Sequence, residues 1–223
     1  MDILVNFLLS ILSSIIAAVI IFITAAWLSK NVRRALTSVA STLLKIDVKF
    51  VFTNSQEAGQ DIKEAFTKTR HVRIFTGRGN EFQGDLYSSL LKDTGKRGPY
   101  TKILLPDPIE HNPQTNWIDY REREIAAFDK AYGKGTLRRQ VENNLAFLKS
   151  YLHLGKFEVR KYSLPHIGRI ILTDEQLFLQ PYEENSHGRH SPVTQYGRGS
   201  TYDMYSRFFD MVWEDCKSHS LTN

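Results

Sequence analysis

From Ile3 to Leu28 the chain runs for 26 residues without one ionisable side chain, rich in Ile, Leu, Val, Ala and Phe. About 20 apolar helical residues suffice to cross a bilayer. The mean hydropathy of all 223 residues is nonetheless −0.32, so the rest of the chain must be distinctly water-soluble. Three segments are therefore expected: a transmembrane helix over 1–28, a juxtamembrane amphipathic helix over 29–47 and a cytosolic domain over 48–223. A secretory signal would need a basic leader and an apolar core of roughly 7–15 residues. Here the only charge ahead of the run is Asp2, and the run is too long.

Lys30, Arg33 and Arg34 stand immediately beyond Trp27, an interface-type residue. An excess of Lys and Arg on that flank predicts a single-pass protein of the inner (cytoplasmic) membrane, N-terminus outside and soluble domain within. A lone cysteine, Cys216, rules out an intrachain disulfide framework and suits reducing surroundings. Ser10, Ser14 and Ala18 recur at the small-xxx-small spacing that lets helices approach. That spacing fits a homo-oligomer (dimer or higher) as well as a tolerated scatter of small residues. Val32, Ala35, Leu36, Val39, Ala40, Leu43 and Leu44 form a helical stripe, with Lys30, Arg33, Thr37, Ser41 and Lys45 facing elsewhere. Such a helix can lie on anionic headgroups, pack in a short bundle or cover the soluble domain.

Beyond Ile46 the periodicity alternates. Strands are expected at 48–52, 72–76, 101–105, 157–162, 169–172 and 176–179. Helices are expected around 55–66, from Phe82 through Leu86 to Leu91, at about 117–132, from Thr136 through Leu152, and across Tyr202–Cys216. This order predicts an α/β domain with parallel early strands and antiparallel late ones. Glu183 to Ser200 is the least regular stretch, and a loop of that length is usually functional or disordered.

Polar residues gather in three places. Thr76-Gly77-Arg78-Gly79-Asn80 sits between a strand and a helix, a setting that presents N–H groups to phosphate. It is neither a dinucleotide fingerprint nor a P-loop. The second is the segment from Ser163 to Tyr182. The third, His187 to Thr201, repeats Gly-Arg-Gly before a helix. His187 and His190 are spaced for one metal ion, but no Cys or acidic cluster accompanies them, so no metal site and no cofactor is expected. No G-x-S-x-G elbow is present. With Asp2 outside, the remainder holds 29 basic and 23 acidic residues, a net of +6. That excess fits an anionic leaflet, a nucleotide or a nucleic acid.

The second segment carries a resemblance. His166, a basic residue at Arg169, an apolar strand, Asp174 and a further strand are similar to the HKD motif of phospholipase D-like proteins. The order of elements from Val48 to the last helix resembles one half of that superfamily's fold, a mixed-sheet α/β sandwich. In catalytic members the motif runs His-x-Lys-x-x-x-x-Asp, followed by a Gly-Ser turn and an Asn. Two copies meet there, one His attacking phosphorus and the other protonating the leaving group. In this chain Arg169 comes three positions after His166, Asp174 comes eight after, and Pro181-Tyr182-Glu183-Glu184 replaces the Gly-Ser turn. A one-residue shift moves a strand side chain to the other face, so Arg169 takes the lysine's place only if a bulge at Gly168 restores phase.

The resemblance therefore implies a single-copy, membrane-anchored member with a degenerate HKD motif. His166 and Asp174 are the catalytic candidates. The phosphate-binding candidates are Thr76, Gly77, Arg78, Gly79, Asn80, Arg169, His187, Arg189, His190, Arg198 and Ser200. The expected function is that of a non-catalytic sensor or effector for a phosphate-bearing ligand, nucleic acid or protein. Such single-span proteins resemble bacterial membrane effectors, including anti-phage defence proteins. The alternatives are a dimeric phosphodiesterase (nuclease or phospholipase) using His166 from each chain, and a membrane scaffold that recruits a protein partner.

Overall fold

The computed structural model describes residues 2–84, 87, 90–91, 98–109, 116–165 and 168–221, with backbone alone for 2–4 and 26–28. The chain divides into two units, Met1–Phe50 and Val51–Asn223, the division falling inside strand β1, Val48–Phe52.

In the first unit, α1 (Asp2–Leu28) carries an apolar stretch, Val5–Ala25, with a mean hydropathy of 2.7. At 1.5 Å per residue that stretch measures about 31 Å, so by length and composition it can cross a bilayer. Ser29 then caps α2 (Lys30–Leu44), its side chain accepting from the Val32 N–H. Lys45 ends α2 in a left-handed conformation, donating to the Ser41 carbonyl. The hydroxyl of Ser41 donates to the Val48 carbonyl at 2.6 Å, and Arg33 and Arg34 both lie over the Phe50 ring. The polar side of α2 is thus engaged, while its apolar residues Val39 and Leu43 are 59% and 77% exposed.

The second unit is a mixed α/β domain. Its strands are β2 (His71–Phe75), β3 (Tyr100–Pro106), β4 (Phe157–Tyr162), β5 (Arg169–Leu172), β6 (Leu177–Gln180) and β7 (Val193–Tyr196). With β1 they hydrogen-bond in the order β1-β7-β6-β5-β2-β3-β4. The early strands β2, β3 and β4 run parallel, and β5, β6 and β7 join antiparallel, as the alternation of elements predicts. The helices are α3 (Ser55–Thr67), α4 (Trp117–Phe128), α5 (Thr136–Lys149) and α6 (Ser200–Asp215).

Both sheet faces are buried, because strand side chains alternate and each set is apolar. Phe75, Leu104, Ile170, Leu172 and Leu177 form one core with Tyr202, Phe209 and Trp213 of α6. Ile74, Ile103, Val159, Ile171 and Phe178, all at most 1% exposed, occupy the opposite face.

Three expectations change. The 183–200 stretch is not wholly irregular, since it holds a 3-10 turn at Gly188–His190 and the strand β7. Helix α4 stops at Phe128 rather than near Tyr132, because Asp129 turns to extended backbone while its N–H still reaches the Ile125 carbonyl. Leu152 belongs not to α5 but to a separate 3-10 turn, Leu152–Leu154. Leu86 and His166 lie outside the described residues.

Candidate functional site

The loop after β2 is shaped by its glycines. A Cβ on Gly77 would stand 2.2 Å from the Trp117 ring, so only glycine lets α4 close over this loop. Gly79 takes φ +76 and leads into a single 3-10 turn, Asn80–Phe82. That one turn replaces the expected start of a long helix, so the described residues supply no helix macrodipole here. The loop is pinned by Asn144 of α5, whose amide donates to the Arg78 carbonyl and to Asn80 Oδ1, each at 2.7 Å.

On β5, Arg169 shares strand parity with Ile171, and it reaches across to the end of β2. Its Nε donates to the hydroxyl of the fully buried Thr76 at 3.4 Å, and its Nη2 pairs with Glu81. Gly168 just before it adopts φ +141, and an added Cβ would strike the Gln180 carbonyl oxygen at 2.4 Å. Burial alone would lower the Arg169 pKa. Glu81, with Tyr182 and Tyr87 behind it, reverses the sign and holds the guanidinium charged above its ordinary value.

Around this pair lies a cavity of about 310 Å³. Arg78, Asn80 and Glu81 line it from the β2 loop, and Trp117, Arg121 and Ile125 from α4. Tyr182, His187, Gly188 and Arg189 close it from the segment after β6. Arg121 clips that segment in place: it bonds Glu124 at 2.7 Å and the Glu183 carbonyl at 2.9 Å. His187 lies 3.3 Å from Asp129 through Nε2, its ring edge-on to Phe128. Glu81 cancels the charge of Arg169, and Glu124 that of Arg121. Arg78 adds a guanidinium that neither carboxylate neutralises, while Arg189 borders this cavity and a neighbouring one, its Nε donating to His190. Guanidinium forks in a partly closed cavity are suited to phosphate or carboxylate.

Among the candidate residues, Arg78, Asn80, Arg169, His187 and Arg189 line this one cavity, with Thr76, Gly77 and Gly79 shaping its loop. His190 does not line it; it accepts from Arg189 Nε at 3.0 Å and, with Arg189, lines a different cavity against α3. Ser200 begins α6, exposed. Arg198 and Asp174 line another cavity altogether. Asp174 there accepts from the Arg70 N–H at 2.7 Å and from the Thr69 hydroxyl at 2.8 Å, tying the β5–β6 turn to the start of β2. Burial would raise its pKa, but these bonds and His71 outweigh that and hold its carboxyl below the ordinary value. Among the described residues, no group of three or more His, Cys, Asp or Glu could hold a metal ion.

Glu81, Trp117, Arg121 and Tyr182 are wall residues that sequence reasoning passes over. Arg121 carried a signal: it falls four residues after Trp117 and four before Ile125, on the buried side of α4.

No family model matches the sequence, and no curated protein matches it. Solved structures do. TrmBL2, an archaeal chromatin protein, is 16% identical over 94% of this chain and 69% of that chain, with a TM-score of 0.45. The phospholipase D family member Nuc from Salmonella typhimurium is 12% identical over 77% of this chain and 94% of its own, with a TM-score of 0.44. The phosphatidylserine synthase of Haemophilus influenzae Rd KW20 is 13% identical over 77% of this chain and 38% of its own, with a TM-score of 0.39. Likenesses of this size do not establish a family or an activity.

Proposed function

We propose that the chain is a membrane-anchored, phospholipase D-like receptor whose cytosolic domain binds a phosphate-bearing ligand without hydrolysing it. The observation that carries this reading is the convergence of Arg78, Arg169 and Arg189 on one cavity from three separate segments. Arg169, already paired with Glu81, fixes the loop beside the cavity, and Arg78 and Arg189 are left to supply the charge that meets an oxyanion. The reading places α1 in the bilayer with the Lys30, Arg33 and Arg34 flank on the cytoplasmic side.

The non-catalytic part has its own support. The position two after His166, where the resembling motif carries lysine, is Gly168 in a conformation that excludes larger residues. Preorganised cations of that kind are worth orders of magnitude in rate. Asp174, the other catalytic candidate, is occupied at the far end of β2.

The test uses the full chain in detergent micelles with inorganic phosphate, AMP and bis(4-nitrophenyl) phosphate as probes. At a hundred times the dissociation constant, a bound probe stabilises the fold by about 2.7 kcal/mol. For a domain of this size that is a rise of several degrees in the unfolding temperature. The reading predicts such a rise, its loss in Arg78→Gln/Arg189→Gln, and no release of nitrophenolate. Release of nitrophenolate that disappears in His166→Ala would instead establish the phosphodiesterase.

A further inference from the structure

The second Gly-Arg-Gly turn of the sequence serves a different cavity from the first. That cavity measures about 380 Å³ and takes in the opening residues of β2 and β3, the β5–β6 turn, and Tyr202 and Asp210 of α6. Arg73 shares strand parity with Phe75, whose core partners include Phe209 and Trp213 of α6. Arg169, by contrast, shares parity with Ile171. The two cavities therefore lie against opposite faces of the sheet, at opposite ends of β2.

The charged groups of the second cavity fall into two kinds. Arg73 donates to both carboxylate oxygens of Asp210, at 2.9 and 3.0 Å, and His71 Nδ1 lies 3.0 Å from Asp174. Those acidic groups are occupied. Lys102 and Arg198 make no ion pair among the described residues. The Lys102 ammonium sits 5.0 Å from the centre of the Trp213 ring, and the Arg198 guanidinium 4.4 Å from that of Tyr202. Glu158 is the register partner of Lys102 on β4, but its carboxylate lies 3.9 Å from Arg160.

An aromatic face positions a cation without cancelling its charge. Tyr202 is itself fixed, its hydroxyl donating to the Thr173 carbonyl at 2.6 Å. Lys102 and Arg198 thus border one cavity as positioned cations with no counter-charge of their own. We propose that this cavity is a second binding site, for a small molecule bearing one phosphate or carboxylate group held by Lys102 and Arg198. The carboxylates of Asp174 and Asp210 in the same lining favour a ligand with a single anionic group over a polyanion.

Two tryptophans make the proposal separable from the first cavity, because Trp117 lines that one and the buried Trp213 packs against Lys102, which lines this one. The full chain, labelled with 5-fluorotryptophan in detergent micelles, gives a fluorine resonance for each tryptophan, assigned through single Trp→Phe variants. Inorganic phosphate is titrated in one arm and acetate in the other, which tells a tetrahedral from a planar anion. The expected result is a saturable shift of the Trp213 resonance in at least one arm. In Lys102→Gln/Arg198→Gln the apparent affinity should fall about a hundredfold, near tenfold for each charged bond lost. Arg78→Gln/Arg189→Gln should leave the Trp213 response unchanged. The exposed single variant Arg198→Gln, which leaves the buried packing in place, should weaken binding about tenfold. A Trp213 resonance that never saturates in either arm, or that saturates equally in Lys102→Gln/Arg198→Gln, overturns the proposal.

Discussion

The Arg169 cavity and the Lys102 cavity hold their cations in different ways. In the first, Arg169 is 5% exposed and locked to Glu81, so its charge is spent on holding the β2 loop against β5. In the second, Lys102 and Arg198 rest on the rings of Trp213 and Tyr202 with their charge uncancelled. The difference separates two jobs that an arginine can do. A buried guanidinium must be paired before the fold is stable, and it then organises its neighbours. A cation over a ring is placed at little expense to stability and remains available to a ligand.

The sharpest way to break this comparison is to remove one partner of the buried pair. Glu81→Ala should destabilise the domain by about 3–5 kcal/mol, because Arg169 is left as an uncompensated buried charge. Replacing both partners, as in Glu81→Gln/Arg169→Met, should recover most of that loss, which a urea titration measures. If Glu81→Ala unfolds at the same urea concentration as the parent, Arg169 is not locked as described.

Next in size is the loop itself. Gly77→Ala puts a methyl group into the Trp117 ring, and overpacking of that kind costs about 1–3 kcal/mol. A thermal melt with no loss would show that α4 does not close on the β2 loop.

A smaller effect belongs to Asp174 in the second cavity, and it is a matter of pH. Its folded carboxyl is held below the ordinary value, so its contribution is present above the ordinary carboxylate range, near pH 4. That contribution disappears as pH falls through the lowered folded value. Asp174→Asn should therefore be less stable than the parent at pH 6, with the gap closing toward pH 3. Equal differences at both pH values would contradict the hydrogen bonds drawn to Arg70 and Thr69. The smallest effect is expected for Arg198→Gln, whose exposed side chain should leave stability within about 0.5 kcal/mol. A larger loss would mean that its contact with Tyr202 is structural.

Much of the sheet was legible from residue pattern. Val48–Phe52, Phe157–Tyr162 and Arg169–Leu172 are short runs rich in β-branched or aromatic residues, and they form strands with the expected bounds. β7 was not legible, because Val193-Thr-Gln-Tyr is only four residues long and stands between Pro192 and Gly197, which punctuate loops. The end of α4 was missed because Lys130, Ala131 and Tyr132 continue a helical composition, whereas the backbone turns at Asp129.

The site was legible in part, and the dividing line is long-range geometry. Arg78, Arg169 and Arg189 were drawn from different loops and do share a cavity, while Arg198 looks equivalent in sequence yet faces the other cavity. Nothing local tells the two Gly-Arg-Gly turns apart. Strand order and side-chain parity decide it, since one turn ends β2 and the other leads into α6. Glu81 was missed because a carboxylate beside a loop reads as solvated until its partner Arg169 arrives from 88 positions away.

The central claim is that the cavity between the β2 loop, α4 and the segment after β6 receives an oxyanion. Tungstate, a tetrahedral phosphate mimic visible by its anomalous scattering, tests that directly when soaked into crystals of the full chain. The account predicts a tungstate peak within hydrogen-bond reach of Arg78 and Arg189, beside the Arg169–Glu81 pair. Tungstate found only at exposed surface cations, with that cavity empty, would contradict it.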